Sequence, residues 1–98
     1  MEVGSTIKAL RRKKKLTQQE LADLAGLSRI YISQIENGIR PSDEVLKKIS
    51  AAFEIPESFI YIYSIKKEDI TEDKRILYDQ LFPVIQDLIK QFVTVDND

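Results

Sequence analysis

The sequence predicts an all-α fold, in which a bundle of five helices precedes a C-terminal amphipathic helical segment. Apolar residues recur every three or four positions in several separate stretches, the spacing that gathers side chains on one face of a helix. Serine or threonine precedes three of these stretches, where a hydroxyl can cap a helix. Gly26 and Gly38 follow two of them, where a left-handed turn can close a helix C-terminus.

The first two helices are predicted from apolar spacing and from a capping box. Ile7 and Leu10 are the expected core contacts of a helix over residues 3–14. In the stretch LTQQELADLAG, Thr17 can bond to the first turn while Glu20, three residues later, bonds back. Gly26 is expected to end this second helix. Its predicted buried stripe is Leu21, Leu24 and Ala25.

The third helix lies in SRIYISQIENG and is separated from the second by only three residues. Ser28 is its expected N-cap, and Gly38 closes it. Ile32 and Ile35 point to one side, whereas Ile30, Ser33, Gln34 and Asn37 point to the other. Two short helices joined by a tight, glycine-containing turn form a helix-turn-helix, whose second helix can lie in a DNA major groove.

The remaining elements follow from further caps and one proline. Ser42 is expected to cap a fourth helix, and Pro56 to open a fifth that ends near Tyr63, although a strand is the alternative for FIYIY. KKEDITEDK is a polar link. A last amphipathic segment covers residues 76–93, where Pro83 predicts either a kink or two abutting helices.

The amino-acid composition excludes several classes of protein function. The 98 residues include no cysteine and no histidine, which removes disulfides, thiolate nucleophiles and the usual zinc ligands. No apolar run is long enough to span a bilayer, and the N-terminus lacks the apolar region of a signal peptide. We therefore expect a cytoplasmic protein that is not an enzyme and uses no cofactor or small-molecule ligand.

Charge is distributed unevenly along the chain. Residues 1–42 carry a net charge of +4 and residues 43–98 carry −5. A basic front half predicts a polyanionic partner for that half, although ordinary surface charge is the alternative. The run RRKKK, from Arg11 to Lys15, has its own alternative as a solvated helix end near the negative pole of the helix dipole.

The stretch LTQQELADLAGLSRIYISQIENGIRPSDEVLKKISAAFEI resembles the Cro/repressor-type helix-turn-helix family, also called xenobiotic-response-element-like. That family includes phage repressors and restriction-modification controller proteins. The resemblance covers residues 4–60 and implies a five-helix, repressor-like bundle that binds operator DNA, commonly as a dimer on two-fold sites.

The resemblance also implies roles for individual residues. The positions that face base edges are Arg29, Ile30, Ser33 and Gln34, and those that touch the DNA backbone are Gln18, Tyr31, Asn37 and Arg40. Arg11 and Glu36 match a paired arginine and glutamate that tie the first helix to the third. The chemistry is compatible, because arginine can bond guanine, glutamine can bond adenine, and an isoleucine can pack on the thymine methyl group.

The resulting prediction is a sequence-specific regulator of transcription that binds double-stranded DNA as a homodimer on a palindrome, as a repressor or an activator. The alternative is a protein-interaction module, such as an antitoxin or co-regulator. Residues 1–65 are the predicted DNA-binding domain and residues 66–98 a dimerisation segment. The predicted dimer contacts are Leu77, Leu81, Val84, Ile85, Leu88 and Phe92.

Overall fold

A computed structural model of the chain describes residues 2–93. Within that range the fold contains six α-helices and no strand, which confirms the all-α prediction and excludes the strand alternative for FIYIY. Met1 and residues 94–98, the end of the predicted dimerisation segment, lie outside the described residues. The helices are α1 (Val3–Lys13), α2 (Gln18–Ala25), α3 (Arg29–Glu36), α4 (Asp43–Phe53), α5 (Glu57–Tyr63) and α6 (Arg75–Val93).

Side-chain caps start α2, α3 and α4 where the sequence predicts them. The Thr17 hydroxyl accepts a hydrogen bond from the Glu20 amide at 3.0 Å, and the Glu20 carboxylate accepts one from the Thr17 amide at 2.8 Å. The Ser28 and Ser42 hydroxyls accept from the amide three residues ahead, at 3.1 and 3.2 Å. Gly26 ends α2 in the left-handed conformation, with φ of 69°. These caps satisfy amide groups that the helices leave unpaired.

Helices α1 to α5 and the end of α6 enclose one hydrophobic core, and α3 crosses α1 closely. A Cβ atom on Gly4 would lie 2.1 Å from the carbonyl oxygen of Ile35, so only glycine allows this approach. The second and third helices pack on each other and on α4 and α1 respectively. The fully buried apolar residues of these helices include Ile7, Leu10, Leu21, Ala22, Ile32, Ile35, Leu46, Ile49, Phe53 and Ile60.

The prediction of which α2 residues are buried is wrong for Leu24. Leu24 is 61% exposed, whereas Leu21, Ala22 and Ala25 are buried. Helices α3 and α4 cover the side of α2 that carries these three residues, and Leu24 lies outside that contact. An apolar residue at helical spacing is therefore not sufficient to place a side chain in the core.

Helix α6 continues through Pro83 from Arg75 to Val93, so the alternative of two abutting helices is wrong. The proline ring has no N–H to donate to the carbonyl four residues earlier, yet the helix resumes beyond it. Helix α6 packs on α1 and α5 and buries Phe82, Ile89 and Val93. No helix between residues 2 and 93 is long and apolar enough to cross a membrane.

Candidate nucleic-acid interface

Helix α3 presents a polar outer face because its apolar inner face is anchored. Ile32 and Ile35 are fully buried against the rest of the bundle. Arg29, Ile30 and Gln34 lie on the opposite side and are exposed, and Ile30 is 63% exposed despite its apolar side chain. The four residues predicted to read bases, including the half-buried Ser33, therefore lie on one helix and face solvent together.

The C-terminal end of α3 is closed by its own side chains. The Asn37 side-chain amide donates a hydrogen bond to the Ser33 carbonyl at 2.9 Å, and it lies 3.5 Å from the Ser33 hydroxyl. Arg40 is exposed in the connection to α4, and Tyr31 is half-buried against the core. These predicted backbone-contacting residues thus border the outer face of α3 rather than lying at its centre.

Arg11 and Glu36 form a nearly buried ion pair between α1 and α3. The Arg11 Nε atom lies 2.7 Å from Glu36 Oε2, and Arg11 Nη2 lies 3.1 Å from Glu36 Oε1. The two side chains are only 10% and 2% exposed. Arg11 Nη1 also donates to the Leu16 carbonyl at 2.7 Å, which ties the α1–α2 turn to the same guanidinium. This arrangement holds the orientation of α3 and leaves its outer face free of the pair.

Gln18 is part of the same cluster, which the sequence did not reveal. Its side-chain nitrogen donates a hydrogen bond to Glu36 Oε1 at 3.1 Å. One hydrogen of the two-donor amide is thus used within the fold, at the first turn of α2. Gln18 and Glu36 are 18 positions apart on different helices, so no local spacing could have indicated their contact.

The first turn of α2 also holds an acidic side chain in place. The hydrogen bond from the Thr17 backbone, followed by the one with the Thr17 side chain, lowers the pKa of Glu20 from its usual 4.5. The carboxylate is thus held against its own capping residue at neutral pH. This contact fixes the start of α2 immediately beside Gln18.

A second apolar surface lies on α6, where the predicted dimer contacts are found. Leu77, Leu81 and Leu88 are each more than half exposed, while Phe82 and Ile89 one position further on are buried. An open groove of about 280 Å³ runs along this face from Ile70 to Ile85. The exposed apolar residues of α6 are Ile76, Leu77, Leu81, Val84, Ile85, Leu88 and Phe92, and we call them the α6 face.

Comparison with known proteins identifies a helix-turn-helix domain in this chain. A helix-turn-helix family model (HTH_3) matches residues 7–60. The chain is 44% identical over 61 residues to an immunity repressor protein of Bacillus phage phi105, covering 61% of this chain and 42% of the relative. It is 43% identical over 61 residues to the HTH-type transcriptional repressor RghR of Bacillus subtilis, covering 59% and 45%. The chain therefore spans less than half the length of these relatives.

A third relative extends the similarity beyond the helix-turn-helix. The chain is 31% identical over 80 residues to a competence pilus inhibition repressor of Acinetobacter baylyi, covering 81% of this chain and 70% of the relative. An alignment of that length does not fit within residues 1–65, so it includes part of the segment that forms α6.

Proposed function

The chain belongs to the helix-turn-helix family, and on that premise we propose that it is a transcriptional repressor in the cytoplasm that binds double-stranded DNA in a sequence-specific manner. The observation that carries the proposal is the outer face of α3. Buried Ile32 and Ile35 hold this face outward, and it combines hydrogen-bonding side chains with one exposed isoleucine. The major groove offers both hydrogen-bonding base edges and thymine methyl groups, so it matches that combination.

Each residue of the outer face is assigned a chemical task. Arg29 bonds the acceptor pair of a guanine, and Gln34 bonds the acceptor and donor of an adenine. Ile30 packs on a thymine methyl group, and Ser33 bonds a neighbouring base edge. The residues assigned to the phosphate backbone are Gln18, Tyr31, Asn37 and Arg40.

The test begins with a site selected from a random duplex pool. Gln34→Ala should weaken binding to that site by about 1–3 kcal/mol and relax the preference at one base pair, because one bidentate contact is lost. Gln18→Ala should weaken binding to selected and random duplexes alike, because phosphate contacts carry no sequence information. Gln19→Ala is the matched control, because Gln19 is exposed on α2 and its side chain bonds Asp23 at 2.8 Å. Equal losses for Gln34→Ala on both duplexes would contradict its assignment.

We further propose that the α6 face joins two copies of the chain, with residues 66–98 as the dimerisation segment. Exposed apolar area of this extent is uncommon on a monomer and is typical of an interface. A two-fold dimer would place two α3 helices about one DNA turn apart, ~34–36 Å, on a palindromic operator.

Dimerisation is best tested by point substitution, because truncation would remove Val93 from the core. Leu81→Glu and Leu88→Glu place charges on the α6 face without touching the buried residues of the helix. Each should convert a dimer to a folded monomer in light scattering and weaken binding to the palindrome. Leu24→Glu is the matched control, since Leu24 is an equally exposed leucine on α2. A variant at Leu81 that stays dimeric, or a wild-type chain that is monomeric at micromolar concentration, would refute the proposal.

One observation favours the alternative of a protein-interaction module such as an antitoxin or co-regulator. The groove on α6 could hold an apolar segment of a different protein instead of a second copy. The salt dependence of binding to random duplex separates the two functions, because release of counterions from DNA produces a steep dependence only when phosphates are contacted.

A further inference from the structure

Three consecutive basic residues at the end of α1 and just beyond it have no acidic partner within residues 2–93. Arg12, Lys13 and Lys14 take part in no ion pair within residues 2–93, and we call them the basic turn. Other lysines are paired: Lys66 lies 3.0 Å from a carboxylate oxygen of Glu2, and Lys67 lies 2.8 Å from one of Asp79. The basic turn therefore concentrates positive charge in a chain whose net charge is −1.

The backbone after the basic turn is held in one conformation. Lys15 adopts the left-handed region with φ of 60°, which is uncommon for a residue other than glycine. The Leu16 amide donates to the Arg11 carbonyl at 3.0 Å, and Arg11 Nη1 donates to the Leu16 carbonyl at 2.7 Å. Two hydrogen bonds thus join Leu16 to Arg11, one through the Arg11 backbone and one through its side chain. The backbone that carries the basic turn is therefore tied to α1 and to the start of α2.

That position is at the same corner of the molecule as the start of α2 and the end of α3. The guanidinium of Arg11, the residue directly before the basic turn, contacts Glu36 at the end of α3. Gln18, which follows the turn by a few residues, contacts the same carboxylate. The basic turn therefore lies near Gln18, the residue of α2 that is assigned to a phosphate, and close to the end of the helix that is assigned to base reading.

We propose that the basic turn binds the phosphate backbone of DNA beside the base pairs that α3 reads. The inference rests on the proposed function and adds three residues to the DNA contacts assigned above. Basic residues in the last turn also stabilise a helix through its dipole, which is the competing explanation for their presence. The dipole acts in the absence of DNA, whereas phosphate contacts appear only in the salt dependence of binding.

The experiment compares two pairs of adjacent lysines in the full chain. Lys13→Gln/Lys14→Gln removes two charges from the basic turn, and Lys47→Gln/Lys48→Gln removes two exposed charges from α4. Affinity for a random duplex is measured over a range of salt concentrations. Each lost phosphate contact reduces the slope of log K against log salt by about 0.9, so the first variant should lose about 2 per protomer. The α4 variant should keep the wild-type slope.

Two further measurements make the result decisive. Lys13→Arg/Lys14→Arg retains both charges and should retain the slope, and urea denaturation shows whether each variant is folded. A folded basic-turn variant with the wild-type slope, or an equal loss in the α4 variant, would overturn the inference and leave the proposed function standing. A wild-type chain whose binding to duplex DNA does not depend on salt would overturn both.

Discussion

Breaking the Arg11–Glu36 ion pair from one side should destabilise the protein more than removing both partners. Arg11→Met leaves the Glu36 carboxylate 2% exposed in its present position, with the Gln18 amide at 3.1 Å as its remaining donor within residues 2–93. Glu36→Leu leaves the Arg11 guanidinium with the Leu16 carbonyl as its acceptor. In both variants a charge remains where water reaches it poorly.

The burial of the two side chains determines how much unfolding free energy each variant should lose. Removal of one partner of a buried ion pair costs about 3–5 kcal/mol, because the other charge is left uncompensated. Replacing both by apolar residues of similar size removes that penalty, although the Leu16 carbonyl and the Gln18 amide each lose a partner. An unsatisfied buried polar group costs about 1–3 kcal/mol. Because Leu16 and Gln18 are only half-buried, we take about 1–2 kcal/mol for each group and expect the double variant to lose roughly 2–4 kcal/mol. The loss is well below the sum of the two single losses.

The free energies of unfolding of the wild type, the two single variants and the double variant form a double-mutant cycle. Urea denaturation followed by far-ultraviolet circular dichroism measures them. Because a domain of this size has a total stability of about 5–15 kcal/mol, the single variants should remain at least partly folded. Glu36→Gln, which keeps one acceptor oxygen for Arg11, gives a milder perturbation if they are not. The exposed Lys66–Glu2 pair is the control and should show little coupling. Single losses that add to within about 0.5 kcal/mol of the double loss would refute the reasoning.

Two other predictions follow from the contacts of α1. Gly4→Ala should cost about 1–3 kcal/mol in urea denaturation, because the new methyl group would meet the Ile35 carbonyl 2.1 Å away and push α1 from α3; unchanged stability would show that the crossing is not tight. Gly26→Ala is the comparison for backbone strain without a clash, because Gly26 has φ of 69° and a Cβ atom added there would meet no atom within 4 Å. The hydrogen bond with Lys66, and then its charge, lower the pKa of Glu2 from 4.5. Their stabilisation is thus present above pH 4.5 and lost as the pH falls through the folded-state pKa. Lys66→Ala should return the Glu2 pKa toward 4.5 in an NMR titration, and an unchanged value would contradict the contact.

Local signals in the sequence were sufficient for most of the fold. Thr17, Ser28 and Ser42 mark the helix starts because capping depends only on residues within one turn. Leu24 was misplaced because spacing identifies an apolar stripe but does not indicate how much of it neighbouring helices cover. Pro83 was ambiguous for a similar reason, since the continuation of α6 beyond it depends on the packing of Ile89 and Val93.

The candidate site was predictable in part. The buried Ile32 and Ile35 determine which side of α3 faces outward, and their spacing is visible in the sequence. The resemblance placed Arg11 opposite Glu36, and the structure brings these side chains together. The contribution of Gln18 to that cluster depends on how α2 and α3 approach each other in space, which neither spacing nor composition encodes.

The burial of Val93 has a consequence for transferring the helix-turn-helix of this chain into other proteins. Val93 is fully buried in the same cluster as Ile7 and Leu10, although it lies 33 positions beyond the end of the segment matched by the family model. A graft of residues 7–60 alone would leave the place of Val93 open to water and would also remove the start of α1. The segment that recombination could exchange intact therefore extends from α1 through α6. A chimera made at the boundaries of the family match would carry the residues proposed to contact DNA without the packing that supports them.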